Sequence, residues 1–265
     1  MAQETSIEPW EQRRLPRSSN APGLDQEALD RGRVEPRHVI PQVRPSNWTL
    51  KVTAAVTGSL LALFVIVHMV GNLKVYQGPE SFNAYAHWLK VAGYPLLPKM
   101  GLLWIVRGVM GTSLILHIWS TLLIRYRGYR LRGGRKKPQL RAGSFVSRLM
   151  LWTGIVLLLF IFIHILDLTT GQANSGFQAP TATESFAYEN LVHSMSQPLF
   201  AVIYMVAMGA LALHLVHGLW LIVTDLGVTG ERTRKIWQAI AHLLAVVVAL
   251  VNMSIPLAVL LGVVS

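Results

Sequence analysis

The sequence predicts an all-α integral membrane bundle of five transmembrane helices, on three observations. Of its 265 residues 52% are hydrophobic and only 14% charged, against about a quarter charged in an ordinary soluble domain, and the mean hydropathy is +0.42. The apolar residues fall into five long blocks, near the roughly 20 residues that a helix needs to cross a bilayer. The basic residues alternate between the connections. The blocks are Val52–Leu73, Leu102–Ile124, Leu149–Leu166, Pro198–Thr224 and Trp237–Val264, and Arg107 is the one charge inside them. The chain has no cysteine, which excludes disulfides, zinc–thiolate sites and cysteine-bound iron–sulfur clusters on it.

Residues 1–50 read as a polar cytoplasmic extension rich in proline and arginine, with seven arginines (Arg13, Arg14, Arg17, Arg31, Arg33, Arg37, Arg44) and no apolar core of a secretory signal. Residues 51–265 form the membrane domain, with spans at about 52–73, 102–124, 149–168, 198–224 and 237–264. After the second span come Arg125, Arg127, Arg130, Arg132, Arg135, Lys136, Lys137, Arg141 and Arg148, and after the fourth Arg232, Arg234 and Lys235. The connection after the first span holds only Lys74, Lys90 and Lys99, and the stretch from Asp167 to Gln197 has no lysine or arginine. The positive-inside rule therefore places the N-terminus and the second and fourth connections in the cytoplasm and the C-terminus outside. The net charge of +11 is accounted for by this topology, so nucleic acid has no support. The basic loop Arg125–Arg141 suits either anionic lipid headgroups or an acidic protein surface.

Chemistry in such a bundle rests on polar groups within the spans, where ionisable residues are costly and usually functional. Four histidines share one relative depth: His68 lies sixteen residues after Val52, and His117, His164 and His214 lie fifteen after Leu102, Leu149 and Leu199. That is roughly 22–24 Å along each helix, in a hydrocarbon core of about 30 Å. Alternate helices run in opposite directions, so His68 pairs with His164 near the outer face and His117 with His214 near the cytoplasmic face. Two facing imidazoles in a dry bundle suit bis-histidine haem b, and two pairs suit two haems. Gly58, Gly108, Gly111, Gly154, Gly209 and Gly218 are candidates to let a porphyrin lie against the backbone. Zinc would want more ligands, and a proton relay would recruit intramembrane Asp or Glu, which the apolar blocks lack. His217, at i+3 from His214, shares its face. It suits a propionate, a quinone pocket or simple packing. His242 lacks a partner at its depth, and His38, His87 and His193 lie outside the spans.

Four stretches, VIVHMVGNLKVYQGPESFNAYAHWL, LILHIWSTLLI, FIFIHILDL and LALHLVHGLWLIVTDLGVTGERTRK, together resemble the cytochrome b558 membrane anchors of succinate dehydrogenases and fumarate reductases. The resemblance is to the five-helix, single-subunit, two-haem type and runs from about Asn47 to the C-terminus, including the stretch Glu80–Asn83. It implies iron ligands at His68, His117, His164 and His214. It favours His214 over His217, because the family's histidine precedes Gly-Leu-Trp by four residues, as His214 precedes Gly218. It also implies a bacterial cytoplasmic-membrane complex with a flavoprotein subunit that oxidises succinate and an iron–sulfur subunit that passes electrons on. Electrons would then enter at the His117–His214 haem, cross to the His68–His164 haem and reduce a quinone. An electron moving outward gains roughly 2.3 kcal/mol per 100 mV, which favours menaquinone as the acceptor. Glu80, Tyr85 and His87 are the candidates for the quinone site. Arg107 suits a propionate of the outer haem, or snorkels to the headgroups; Arg148 and Lys235 are weaker candidates on the inner side. The rivals are the cytochrome b anchor of a hydrogenase or formate dehydrogenase, and a haem-free transporter.

Overall fold

The computed structural model describes residues 45–131, 143–181, 183–228 and 230–265; the side chains of residues 143–148 fall outside it. Most of the extension at 1–50, His38, the loop residues Arg132, Arg135, Lys136, Lys137 and Arg141, and the side chain of Arg148 therefore lie outside the described residues. Residues 47–265 form one compact unit. Its elements are α1 (Asn47–Asn72), a 3-10 turn (Leu73–Gln77), α2 (Pro79–Val91), α3 (Gly101–Leu131), α4 (Gly143–His164), a π turn (Ile165–Thr169), α5 (Ala187–Ser196), α6 (Pro198–Asp225) and α7 (Glu231–Leu260). There is no strand among the described residues. With every backbone group bonded within its own helix, this is one of the two architectures hydrocarbon permits.

Among the described residues, five helical segments are long and apolar enough to cross a membrane: Asn47–Gln77, Gly101–Leu131, Leu149–Thr169, Pro198–Asp225 and Glu231–Leu260. They match the five apolar blocks and make the chain a multi-pass membrane protein. Most run past the blocks, because an apolar block marks where side chains suit lipid, whereas a helix stops where its backbone bonding stops. Thus α3 continues through Arg125, Arg127 and Arg130, and α7 starts at Glu231, well before Trp237. The third span requires a correction. It extends through the π turn to Thr169, so an acidic residue, Asp167, belongs to it and is fully buried. The absence of intramembrane carboxylates holds for the apolar blocks and fails for the folded spans.

The helices are packed unevenly. α6 and α7 pack on each other and on α1, α3 packs on α1, and α4 packs on α6. The central seam is lined by Ala62, Ala241 and Ala245 with Leu215, Leu219 and Val248; small residues let membrane helices approach closely where lipid gives no hydrophobic drive. By contrast, α1 and α4 do not pack closely backbone to backbone, nor do α3 and α6.

One end of the bundle is covered. There α2 and α5 close over a cluster of Val75, Phe82, Tyr188, Leu191, Met195, Tyr204 and Ile255. Asn190 holds this cap together: its side chain accepts from the Gln178 amide at 2.7 Å and donates to the Gln178 carbonyl at 2.9 Å. Asn83 pins α2 to α5 by donating to Glu189 at 2.9 Å and accepting from the Tyr188 amide at 2.9 Å. The opposite end carries the basic residues, with Lys51 paired to Asp225 at 3.1 Å and Arg127 donating to Asn47 at 2.9 Å.

Candidate functional site: two facing histidine pairs

The structure brings the four intramembrane histidines together two by two. At the capped end, the ring centroids of His68 (α1) and His164 (α4) are 5.9 Å apart, with planes at 85°. At the basic end, His117 (α3) and His214 (α6) are 6.5 Å apart, with planes at 64°. These helix combinations do not pack closely on each other, and each imidazole pair reaches across from one helix to the other.

Three of the four imidazoles are braced on a helix other than their own, and counting donors assigns the proton on each. His117 Nδ1 lies 3.2 Å from the Ala54 carbonyl, which can only accept, so Nδ1 carries the hydrogen. The Thr57 hydroxyl lies 3.4 Å from the same nitrogen and gives its own hydrogen to the Thr53 carbonyl at 2.6 Å. His214 Nδ1 lies 3.1 Å from the Thr153 hydroxyl, which accepts from His214 when it gives its own hydrogen to the Leu149 carbonyl at 3.0 Å. His164 Nδ1 lies 3.1 Å from Tyr204 Oη, which donates to Asp167 Oδ2 at 2.7 Å and so likewise accepts from the imidazole. In all three the Nδ1–H tautomer leaves Nε2 with a free lone pair, the form that binds a metal. His68 stacks on Phe64 at 5.4 Å and has no hydrogen-bond partner among the described residues.

Glycines make room for two of the rings. A Cβ at Gly58 would stand 3.1 Å from His117 Cε1, and one at Gly154 would stand 3.5 Å from His214 Cε1. These two glycines thus admit an imidazole, where the sequence suggested a porphyrin face. Beside Gly108, Gly111, Gly209 and Gly218 there is open space.

The donor set fits haem b. Two metal–imidazole bonds of about 2 Å and two ring half-widths of about 1.1 Å put centroids roughly 6 Å apart across one metal ion, close to both observed spacings. No group of three metal-ligating side chains occurs among the described residues. Two imidazoles at this spacing would suit an ion whose remaining ligands arrive with a macrocycle.

The other sequence candidates scatter. Arg107 is exposed, with its guanidinium over the Trp104 ring at 5.0 Å. His217 is half-buried one turn beyond His214. Lys235 pairs with Glu231 at 2.8 Å, and His242 hydrogen-bonds the Gln238 carbonyl of its own helix at 2.6 Å. Glu80 is exposed, and Tyr85 lies over Gly71, stacked on Trp88 at 6.0 Å. His87 lines an open recess of about 630 Å³ in the cap, together with Asn83, Trp88, Glu184, Phe186 and Glu189. Its Nδ1 and the neighbouring Lys90 Nζ are buried without partners among the described residues. Desolvation holds the Lys90 ammonium below the usual lysine range.

Sequence reasoning missed the bracing residues Ala54, Thr57, Thr153, Tyr204, Ser194 and Asp167. Only Asp167 carried a legible signal, as a carboxylate three residues after a histidine where an apolar block ends. Its Oδ2 accepts from Ser194 and Tyr204, each at 2.7 Å, while its Oδ1 is buried with no partner. An unsatisfied buried group of this kind costs about 1–3 kcal/mol, more if charged.

Fold and site together define a helical membrane protein with one imidazole pair toward each end of its bundle. Residues 130–252 match the family of succinate dehydrogenase/fumarate reductase transmembrane subunits. The matched stretch is just under half of the chain and contains His164 and His214, one histidine of each pair. It supports that family and, with it, the role of a membrane subunit whose enzymatic site lies on another chain. No curated protein and no solved structure gives a significant match.

Proposed function

We propose that this chain is the membrane anchor and electron-transfer subunit of a succinate:quinone oxidoreductase of the bacterial cytoplasmic membrane. In this reading His68 and His164 hold one haem b and His117 and His214 hold the other. The observation that carries it is the pair of imidazoles at each end, with ring centroids 5.9 and 6.5 Å apart and three of the four rings braced through Nδ1 on a neighbouring helix. The family match over one member of each pair adds support.

When bound, the two haems would supply a one-electron relay between an iron–sulfur partner and a membrane quinone. The residues of this chain do the rest. Ala54, Thr57 and Thr153 orient His117 and His214, and Tyr204 orients His164. Pre-set rings of this kind lose little freedom on ligation. The basic end, with Lys51, Arg125, Arg127, Arg130, Arg232 and Arg234, is the cytoplasmic face, where the flavoprotein and iron–sulfur subunits dock. The chain's lack of cysteine assigns cysteine-bound clusters to that partner. The capped end faces outward and receives the quinone, with menaquinone favoured. His87 is the sequence candidate at the recess, where its buried Nδ1 can bind a quinone oxygen and pass it a proton, with Lys90 beside it as a second donor.

The test is a reduced-minus-oxidised spectrum of the purified protein with a pyridine haemochrome count. About two haems b per chain are expected from four axial histidines, together with co-purification of a succinate-oxidising flavoprotein. A preparation without haem b rejects the reading. Two haems with a different dehydrogenase partner would keep the relay and reject the succinate assignment.

A further inference from the structure

Asp167 is the buried ionisable group that the proposed relay leaves unused. Resting on that relay, we infer that Asp167, acting through Tyr204, is a positioning residue for His164 that sets the potential of the haem at the His68–His164 pair apart from that at the other pair. The chain of contacts is continuous: His164 Nδ1 to Tyr204 Oη at 3.1 Å, then Tyr204 Oη to Asp167 Oδ2 at 2.7 Å. Ser194, on α5, donates to the same Oδ2 at 2.7 Å.

Three features distinguish this from a structural staple. Both hydroxyls converge on one carboxylate oxygen while Oδ1 stays buried without a partner; a staple would satisfy both oxygens. The π turn begins at Ile165, immediately after His164, and closes with the Thr170 amide on the Ile165 carbonyl at 2.9 Å. Such widened turns recur where a helix re-aims a functional side chain, and here the turn contains Asp167. Finally, the other pair has no counterpart, since its Nδ1 atoms meet a neutral carbonyl and a threonine hydroxyl. A carboxylate behind an imidazole makes that ligand more basic. It therefore favours the ferric over the ferrous ion at one pair only.

The experiment is a redox titration of the haem bands in the purified, full complex. Tyr204→Phe keeps the ring that packs edge-on against Phe160 at 5.0 Å and removes only the hydroxyl. Asp167→Asn keeps the shape and replaces the carboxyl group with an amide. In each variant one of the two midpoints is expected to rise, with the ferrous-to-ferric ratio at fixed potential increasing roughly tenfold, or about 59 mV for one electron. The other midpoint stays where it was. Thr153→Val, at the opposite pair, leaves the Tyr204-sensitive transition in place. Loss of one haem of the two in Tyr204→Phe also supports the positioning role. Two unmoved midpoints, two that move together, or loss of both haems overturns it. A wild-type complex without haem b fails the relay itself, and its spectrum reports that before any variant is made.

Discussion

The two ends of the bundle carry the same pair of imidazoles in different surroundings. At the basic end His117 and His214 are braced by a backbone carbonyl and a threonine hydroxyl, and no buried polar atom lacks a partner among the described residues there. At the capped end lie all three buried side-chain atoms without partners among the described residues: His87 Nδ1, Lys90 Nζ and Asp167 Oδ1. Folded proteins keep such groups where function uses them. Under the proposed function, the basic end would only pass electrons and the capped end would also handle protons and substrate.

The largest effect expected to break or sharpen this comparison comes from removing a histidine at each end. His164→Ala and His117→Ala should each lower the haem count from about two to about one per chain, since one axial ligand cannot replace two, leaving the other haem's bands in place. If both sets of bands persist in either variant, the pairing is wrong. The second effect separates the ends by function. His87→Ala should slow quinone reduction by about 100-fold, the low end of what a positioned proton donor contributes, with both haem spectra unchanged in the same sample. Normal turnover would remove His87 from the quinone site. The smallest effect concerns the basic end alone. Gly58→Val pushes against His117 and should destabilise that site by about 1–3 kcal/mol, as overpacking does. It should read as weaker retention of one haem, whereas Gly154→Ala, with 3.5 Å of room, should be tolerated.

Much of this organisation was legible in the chain because hydrocarbon is an unforgiving solvent. Val52–Leu73 or Pro198–Thr224 can do little but span. Helices of fixed rise running in alternating directions place His68 level with His164 and His117 level with His214. The bracing groups were not legible. Thr57 and Thr153 read as ordinary small residues at helix interfaces, Ala54 contributes only a carbonyl, and Tyr204 looks like any aromatic of an apolar span. Gly154 could not be told apart from Gly209, although one faces an imidazole and the other open space. The burial of Asp167 was not legible either, because hydropathy drops at the first carboxylate, while the helix continues through a π turn that buries it.

By itself, then, the sequence determined five crossings and the depth of four imidazoles, since these follow from solvent, helical rise and alternating direction alone. Which groups brace His117, His164 and His214, and that Asp167 stands behind one pair only, were decided by the tertiary structure. Those features depend on side chains brought together from different helices, and no one-dimensional period encodes the angle at which two helices face each other.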